Sequence, residues 1–271
     1  MIKRLLTSFV GLIVFFFVLL FPFGIEMKYP NAVFTVGVLV ITLTAIYELH
    51  NAICKRKELL FVGWVMTVIV FFSNITGNLL PALLALLIVY LFLSVIEFGR
   101  TEVKIVYMLG FATAVYSTFI STIANIKIEF SVYATFLLFV FAWITDSGAY
   151  FAGYFLGKHK LVPKLSPKKT VEGAIGGIIA CILISLGYVW VLDRCFDVSL
   201  FNGGDNYKML LLSFIGSIIS QLGDFASSAV KREFNVKDYG NILPGHGGVL
   251  DRFDSIIFVA PFVYYILTLL A

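Results

Sequence analysis

Residues 79–98 read LLPALLALLIVYLFLSVIEF, twenty positions whose one charge, Glu97, sits next to last. A run this long and this apolar matches the roughly 20 residues a helix needs to cross the hydrocarbon core of a bilayer. A membrane barrel strand would instead show about ten residues of alternating polarity. Working outward, similar runs recur at about 5–25, 31–48, 59–77, 104–124, 130–156, 171–192, 208–230 and 249–270. The whole chain agrees with its parts: of 271 residues, 60% are hydrophobic and 13% charged, and 28 are Phe. Ordinary soluble proteins are about 45–50% apolar and about a quarter charged. The expected fold is all-α, a polytopic integral membrane protein of about nine transmembrane helices. The first run follows Lys3 and Arg4 but is too long for a signal core and lacks a small-x-small cleavage motif, so a span is expected there too. Cys54, Cys181 and Cys195 are odd in number and scattered, and they carry no disulfide or metal expectation.

Nine spans divide the 20 Lys and Arg residues between two sides of the membrane. One side receives only Lys28, Lys127, Arg194 and Lys208; all the others fall on the side of the N-terminus. The positive-inside bias then predicts a cytoplasmic N-terminus. Two regions follow. Residues 1–128, about five spans without an ionisable residue near their centres, read as a membrane scaffold. Residues 129–271, about four spans with cytoplasmic loops 157–170 and 231–248, hold the chemistry.

Three clusters in that second region break the rules of a lipid-embedded chain. Asp146, in FAWITDSGAY, lies roughly 15 Å into its span from Gly157, at 1.5 Å per residue. A carboxylate at that depth faces a cavity or a partner and is a functional candidate by default, with a tie to a neighbouring helix as the plainer alternative. Ser220, Asp224, Ser227 or Ser228, and Lys231 recur at helical spacing, a polar stripe on one face of the eighth span. Such a stripe lines a cavity or a protein interior, or only joins helices. Asp251 and Asp254, three apart at the start of the ninth span, add two more acids. Together with Asp224 they suit a hard cation such as Mg²⁺, which prefers oxygen ligands. A salt-bridge knot with Lys231, Arg232 and Arg252 would use the same residues, and spacing does not separate the two.

The basic loop GKHKLVPKLSPKKTVEG begins at Gly157. Ser166 followed by Pro167 predicts an N-cap and first helical position for the seventh span. Lys168 and Lys169 would then add charge at a positive helix end, an arrangement that favours phosphate. Positive residues also belong on the cytoplasmic side for topology alone. Gly173, Gly176 and Gly177 form a small-residue pattern expected to bring helices close. Gly153 to Lys158 departs from a phosphate loop in spacing and in lacking Ser or Thr after the lysine.

The segment 228–254, SAVKREFNVKDYGNILPGHGGVLDRFD, resembles the signature of the phosphatidate cytidylyltransferases, or CDP-diacylglycerol synthases. Ser228, Lys231, Arg232, Lys237, Asp238, Pro244, His246, Gly247, Gly248, Asp251, Arg252 and Asp254 all meet it. Asp146-Ser-Gly-Ala-Tyr and Ser166-Pro-Lys-Lys-Thr-x-Glu-Gly are similar to the family as well, so the specific likeness covers about residues 140–255. It implies cytidylyl transfer from CTP to phosphatidic acid in phospholipid biosynthesis, with release of pyrophosphate. It also implies Mg²⁺, with or without a second cation, a homodimer, and a cell (inner or plasma) membrane location with the site facing the cytoplasm. Membrane lipids are expected partners and nucleic acid is not. By the same resemblance Asp224 and Asp251 bind metal, and Lys168, Lys169, Lys231 and Arg232 contact phosphates. Asp254 joins Asp224, Lys231 and Asp251 in catalysis, and His246, Arg252 and Asp146 join the nucleotide site. Whether Asp146 meets metal, nucleotide or a helix stays open, as does a phosphate-binding or loop-ordering part for His246. A cation-coupled transporter using Asp146 and Asp224, or a CTP-dependent lipid kinase, is the alternative.

Overall fold

The computed structural model describes residues 31–201, 207–242 and 247–270. The expected first span, 5–25, lies outside them. Among the described residues, eight helical segments are long and apolar enough to cross a membrane. In hydrocarbon a helix satisfies its own backbone, which is why these runs take no other form.

Two compact units divide the chain: the described residues of Met1–Ile128 with Phe234–Arg252, and those of Glu129–Glu233 with Phe253–Ala271. The first unit contains α1 (Ala32–Ile53), α2 (Lys57–Ile75), α3 (Leu79–Ile96) and α4 (Val103–Glu129). Gly77 and Gly99 take φ of 77° and 80° just past α2 and α3, the left-handed turn that ends a helix with least strain in glycine. Leu59, Met66, Val70, Leu86, Tyr90, Val106 and Leu109 form the core between α2, α3 and α4. Polar ties cross it: Tyr90 Oη and Thr113 Oγ1 are 3.1 Å apart, and Ser117 Oγ donates to Thr67 Oγ1 at 3.1 Å. On the outside, Leu80, Phe92 and Val95 are 68%, 67% and 73% exposed. Such a surface is stable only where the surrounding solvent is itself apolar.

The second unit opens with a span in three parts: α5 (Val132–Phe139), a π turn at Val140–Ile144, and α6 (Thr145–Leu156). Ser131 caps α5, its Oγ accepting from Ala134 N at 3.0 Å. A hairpin of β1 (Lys160–Val162) and β2 (Ser166–Thr170) follows, antiparallel with an irregular register. Then come α7 (Val171–Cys195) and α8 (Lys208–Glu233), while α9 (Leu250–Leu270) begins in the first unit and continues in the second. As the glycine pattern predicts, α6 and α7 approach closely. A Cβ added at Gly177 would stand 2.7 Å from Thr145 O, and one at Gly148 only 2.6 Å from Ala180 Cβ.

The expected cap at Ser166 is displaced. Ser166 and Pro167 lie in β2, and the helix starts after Thr170, whose Oγ1 accepts from Gly173 N at 3.1 Å. Pro167 lacks an N–H, which a strand in a two-stranded hairpin tolerates on its outer edge. Glu172 fastens the hairpin to the helix start, accepting from Lys158 N at 3.0 Å and meeting His159 Nδ1 at 2.6 Å.

Candidate active site

Within the second unit, one face of α8 carries Ser220, Asp224, Ser227 and Lys231. Both serines are buried, and Asp224 and Lys231 are partly so. Gly223 lets α9 approach this face: a Cβ there would meet Asp254 O at 3.1 Å and Phe258 Cδ2 at 2.8 Å. The approach sets Asp254 beside the stripe. Lys231 Nζ is 3.8 Å from Asp254 Oδ2.

From the end of β2, Lys169 reaches Asp224 as an ion pair, and its ammonium also lies 4.2 Å from the centre of the Phe225 ring. Lys168, its neighbour, is exposed. Asp146, two residues past the π turn, lies near enough to feel the charges of Asp224 and Lys169, and Asp254 feels those of Asp224, Lys231 and Asp146. Three carboxylates and two ammonium groups thus share one pocket of charge. Side chains only 13–30% exposed keep the Lys169–Asp224 and Lys231–Asp254 pairs less screened than surface pairs.

Such an arrangement suits a polyanion that arrives with a cation. The lysines can turn from carboxylate to phosphate, since an ammonium is a flexible point charge with three donors. The carboxylates supply only oxygen donors, the kind that Mg²⁺ prefers. Among the described residues no group of three or more His, Cys, Asp or Glu side chains stands at metal-ligand spacing. The acids of this unit match a metal in donor chemistry only, with Lys169 holding Asp224 in the present arrangement.

The other expected residues fall elsewhere. Arg232 is exposed in the last turn of α8, and His246 lies outside the described residues. Arg252 is exposed, in the first unit. Asp251 is in the first unit too, where its Oδ2 accepts from Tyr239 N at 2.9 Å and Gly248 N at 3.0 Å. Beside it stands a residue the sequence did not single out. Glu48, 1% exposed, accepts from Val249 N at 3.0 Å and Leu250 N at 2.8 Å. An acid at the tail of an apolar run is a weak signal, because most such acids simply mark where the membrane ends.

Comparison with known proteins places these features in context. A family model described as the cytidylyltransferase family matches residues 2–270. The phosphatidate cytidylyltransferase of Bacillus subtilis (strain 168) is 48% identical over 130 residues, covering 48% of this chain and 45% of that protein. That of Staphylococcus haemolyticus is 46% identical over 129 residues, 48% of this chain and 46% of the relative. The Staphylococcus aureus (strain COL) enzyme is 45% identical over 129 residues, with the same shares. In each case the matched stretch spans under half of the relative's own length.

Proposed function

The chain belongs to the cytidylyltransferase family, and from that premise we propose that it transfers CMP from CTP to phosphatidic acid at the cytoplasmic face of a bacterial cell membrane. A phosphate oxygen of the lipid attacks the α-phosphorus of CTP, the bond to the β-phosphate breaks, and CDP-diacylglycerol and pyrophosphate form. The nucleophile is already ionised at neutral pH, so the step asks for no strong base. It asks for positioning and for neutralisation of charge on the α-phosphate and the leaving pyrophosphate.

The observation that carries this reading is the pocket of Asp146, Lys169, Asp224, Lys231 and Asp254. Lys169 and Lys231 hold phosphates, each released from its carboxylate as the nucleotide enters. Asp224 would be a ligand of Mg²⁺, which when bound supplies a Lewis acid to the phosphate oxygens. Asp251, the other acid that the resemblance assigns to metal, keeps its place through Tyr239 N and Gly248 N. Lys168 and Arg232, exposed and cationic, serve the nucleotide from outside, and the working form is a homodimer.

The test is direct. Purified protein with CTP, phosphatidic acid and Mg²⁺ should release pyrophosphate and form CDP-diacylglycerol, and EDTA should stop both until Mg²⁺ is restored. Release of CDP with a phosphorylated lipid would mean a kinase instead. Activity untouched by EDTA would remove the metal from the reaction.

A further inference from the structure

Glu48 lies near the end of α1 and bonds to amides 201 and 202 positions further along the chain. Both of its oxygens are used, one on Val249 N and one on Leu250 N. These amides stand at the very start of α9, where helix N–H groups have no partner of their own and the helix dipole favours negative charge. Ordinarily a local Ser, Thr, Asp or Asn supplies that acceptor. Here position 249 is Val, and the acceptor comes from α1.

Space has been cleared for it. A Cβ at Gly248 would stand 2.6 Å from Glu48 Cδ, and one at Gly240 only 2.7 Å from the same carbon. Two glycines therefore wrap a buried carboxylate, a group that is costly to desolvate unless fully hydrogen-bonded. Asp251 is on the same first turn of α9, and its Oδ2 is held by Gly248 N, next to the amides that Glu48 takes. The four amides of Tyr239, Gly248, Val249 and Leu250 are thus divided between two acids, Asp251 taking the first two and Glu48 the last two.

We propose that Glu48 is a positioning residue for the reaction: its carboxylate clamps the leading amides of α9 and so fixes the turn from which Asp251 projects. The inference rests on the proposed function in one respect, that Asp251 takes part in the transfer. The clamp itself depends on no assumption about the reaction.

The experiment uses the full chain in detergent, with Glu48→Gln and Glu48→Ala beside wild type, and Asp251→Asn as a comparison. Hydrogen exchange by mass spectrometry should show peptides covering 247–251 exchanging about ten- to a hundredfold faster in Glu48→Ala, with α2 to α4 unchanged. Glu48→Gln, which keeps one acceptor oxygen, should fall between it and wild type. Turnover should drop about 10–100-fold, the range found for groups that orient a ligand, with KM for CTP little changed. Unaltered exchange at 247–251 would overturn the clamp. Faster exchange with normal turnover would overturn the positioning role. Should Glu48→Ala fail to fold, the same two readouts in Glu48→Gln decide. Wild type that makes no pyrophosphate would sink the proposed function instead, and the exchange arm would still read the clamp.

Discussion

Asp224 links the charged groups of the second unit. It is paired with Lys169, it interacts with Asp146 and Asp254, and it lies on the polar face of α8. Asp224→Asn keeps the shape and removes the charge, so insertion into the membrane should survive. Catalytic rate should fall by about a hundredfold or more, as when a group poised for the transition state is lost; steady-state pyrophosphate release measures it. Wild-type rates would remove Asp224 from the mechanism. Lys169→Met tests the partner. Because a phosphate contact would be lost, KM for CTP should rise and kcat should fall in the same assay. A variant that only weakens heat stability would make Lys169 a structural counterion. The pair itself was hidden from sequence reading, because Lys169 and Asp224 are 55 positions apart and nothing local in either segment names the other.

At the scale of elements, most of the molecule is written in its apolar runs. The eight described spans begin and end within a few residues of where hydrophobicity alone puts them, with informative exceptions. α1 runs on to Ile53 and α4 to Glu129. The apolar runs stop at Glu48 and short of Lys127, yet the helices continue because those charges find partners: the amides of α9 for Glu48, and the face of Phe34, 4.3 Å away, for Lys127. The cap of α7 was misplaced for a similar reason. Ser166-Pro167 is a good local helix start, but the pairing of β1 with β2 claims those residues and leaves Thr170 to do the work. Thr170→Val preserves the volume that Gly153 and Gly173 pack against and deletes the acceptor. It should cost about 1 kcal/mol, seen as a Tm lower by about 2–4 °C in detergent, with turnover nearly intact.

For the molecule as a whole, the arrangement across the membrane follows from counting charge rather than from packing, so it calls for its own measurement. If the N-terminus is cytoplasmic, α7 ends on the outer side, where Cys195 is exposed, while Cys181 is buried within the same helix. A membrane-impermeant maleimide should therefore label Cys195 in intact cells. A cysteine placed at Lys164, in the hairpin turn, should react only after the membrane is opened. The reverse pattern would invert the topology and move the charge pocket to the wrong face for CTP. What the sequence left unread at this scale is the return of 234–252 to the first unit, since contacts between such distant segments leave no periodic mark.

The π turn at Val140–Ile144 has a consequence for how the span tolerates change. One surplus residue in a turn offsets the rotational phase of everything after it by about 100° relative to a regular helix. Asp146 and Gly148 thus owe their heading to a wide coil upstream, wedged where Phe141 fills the space above Gly216. Inserting one alanine after Ile144 would turn everything beyond it by about 100° in a span one residue longer than the present 25, still able to traverse the bilayer. Yields of inserted protein should then hold while turnover collapses, because the acid would face a different bearing. In this span, crossing the membrane and aiming the carboxylate are separable properties.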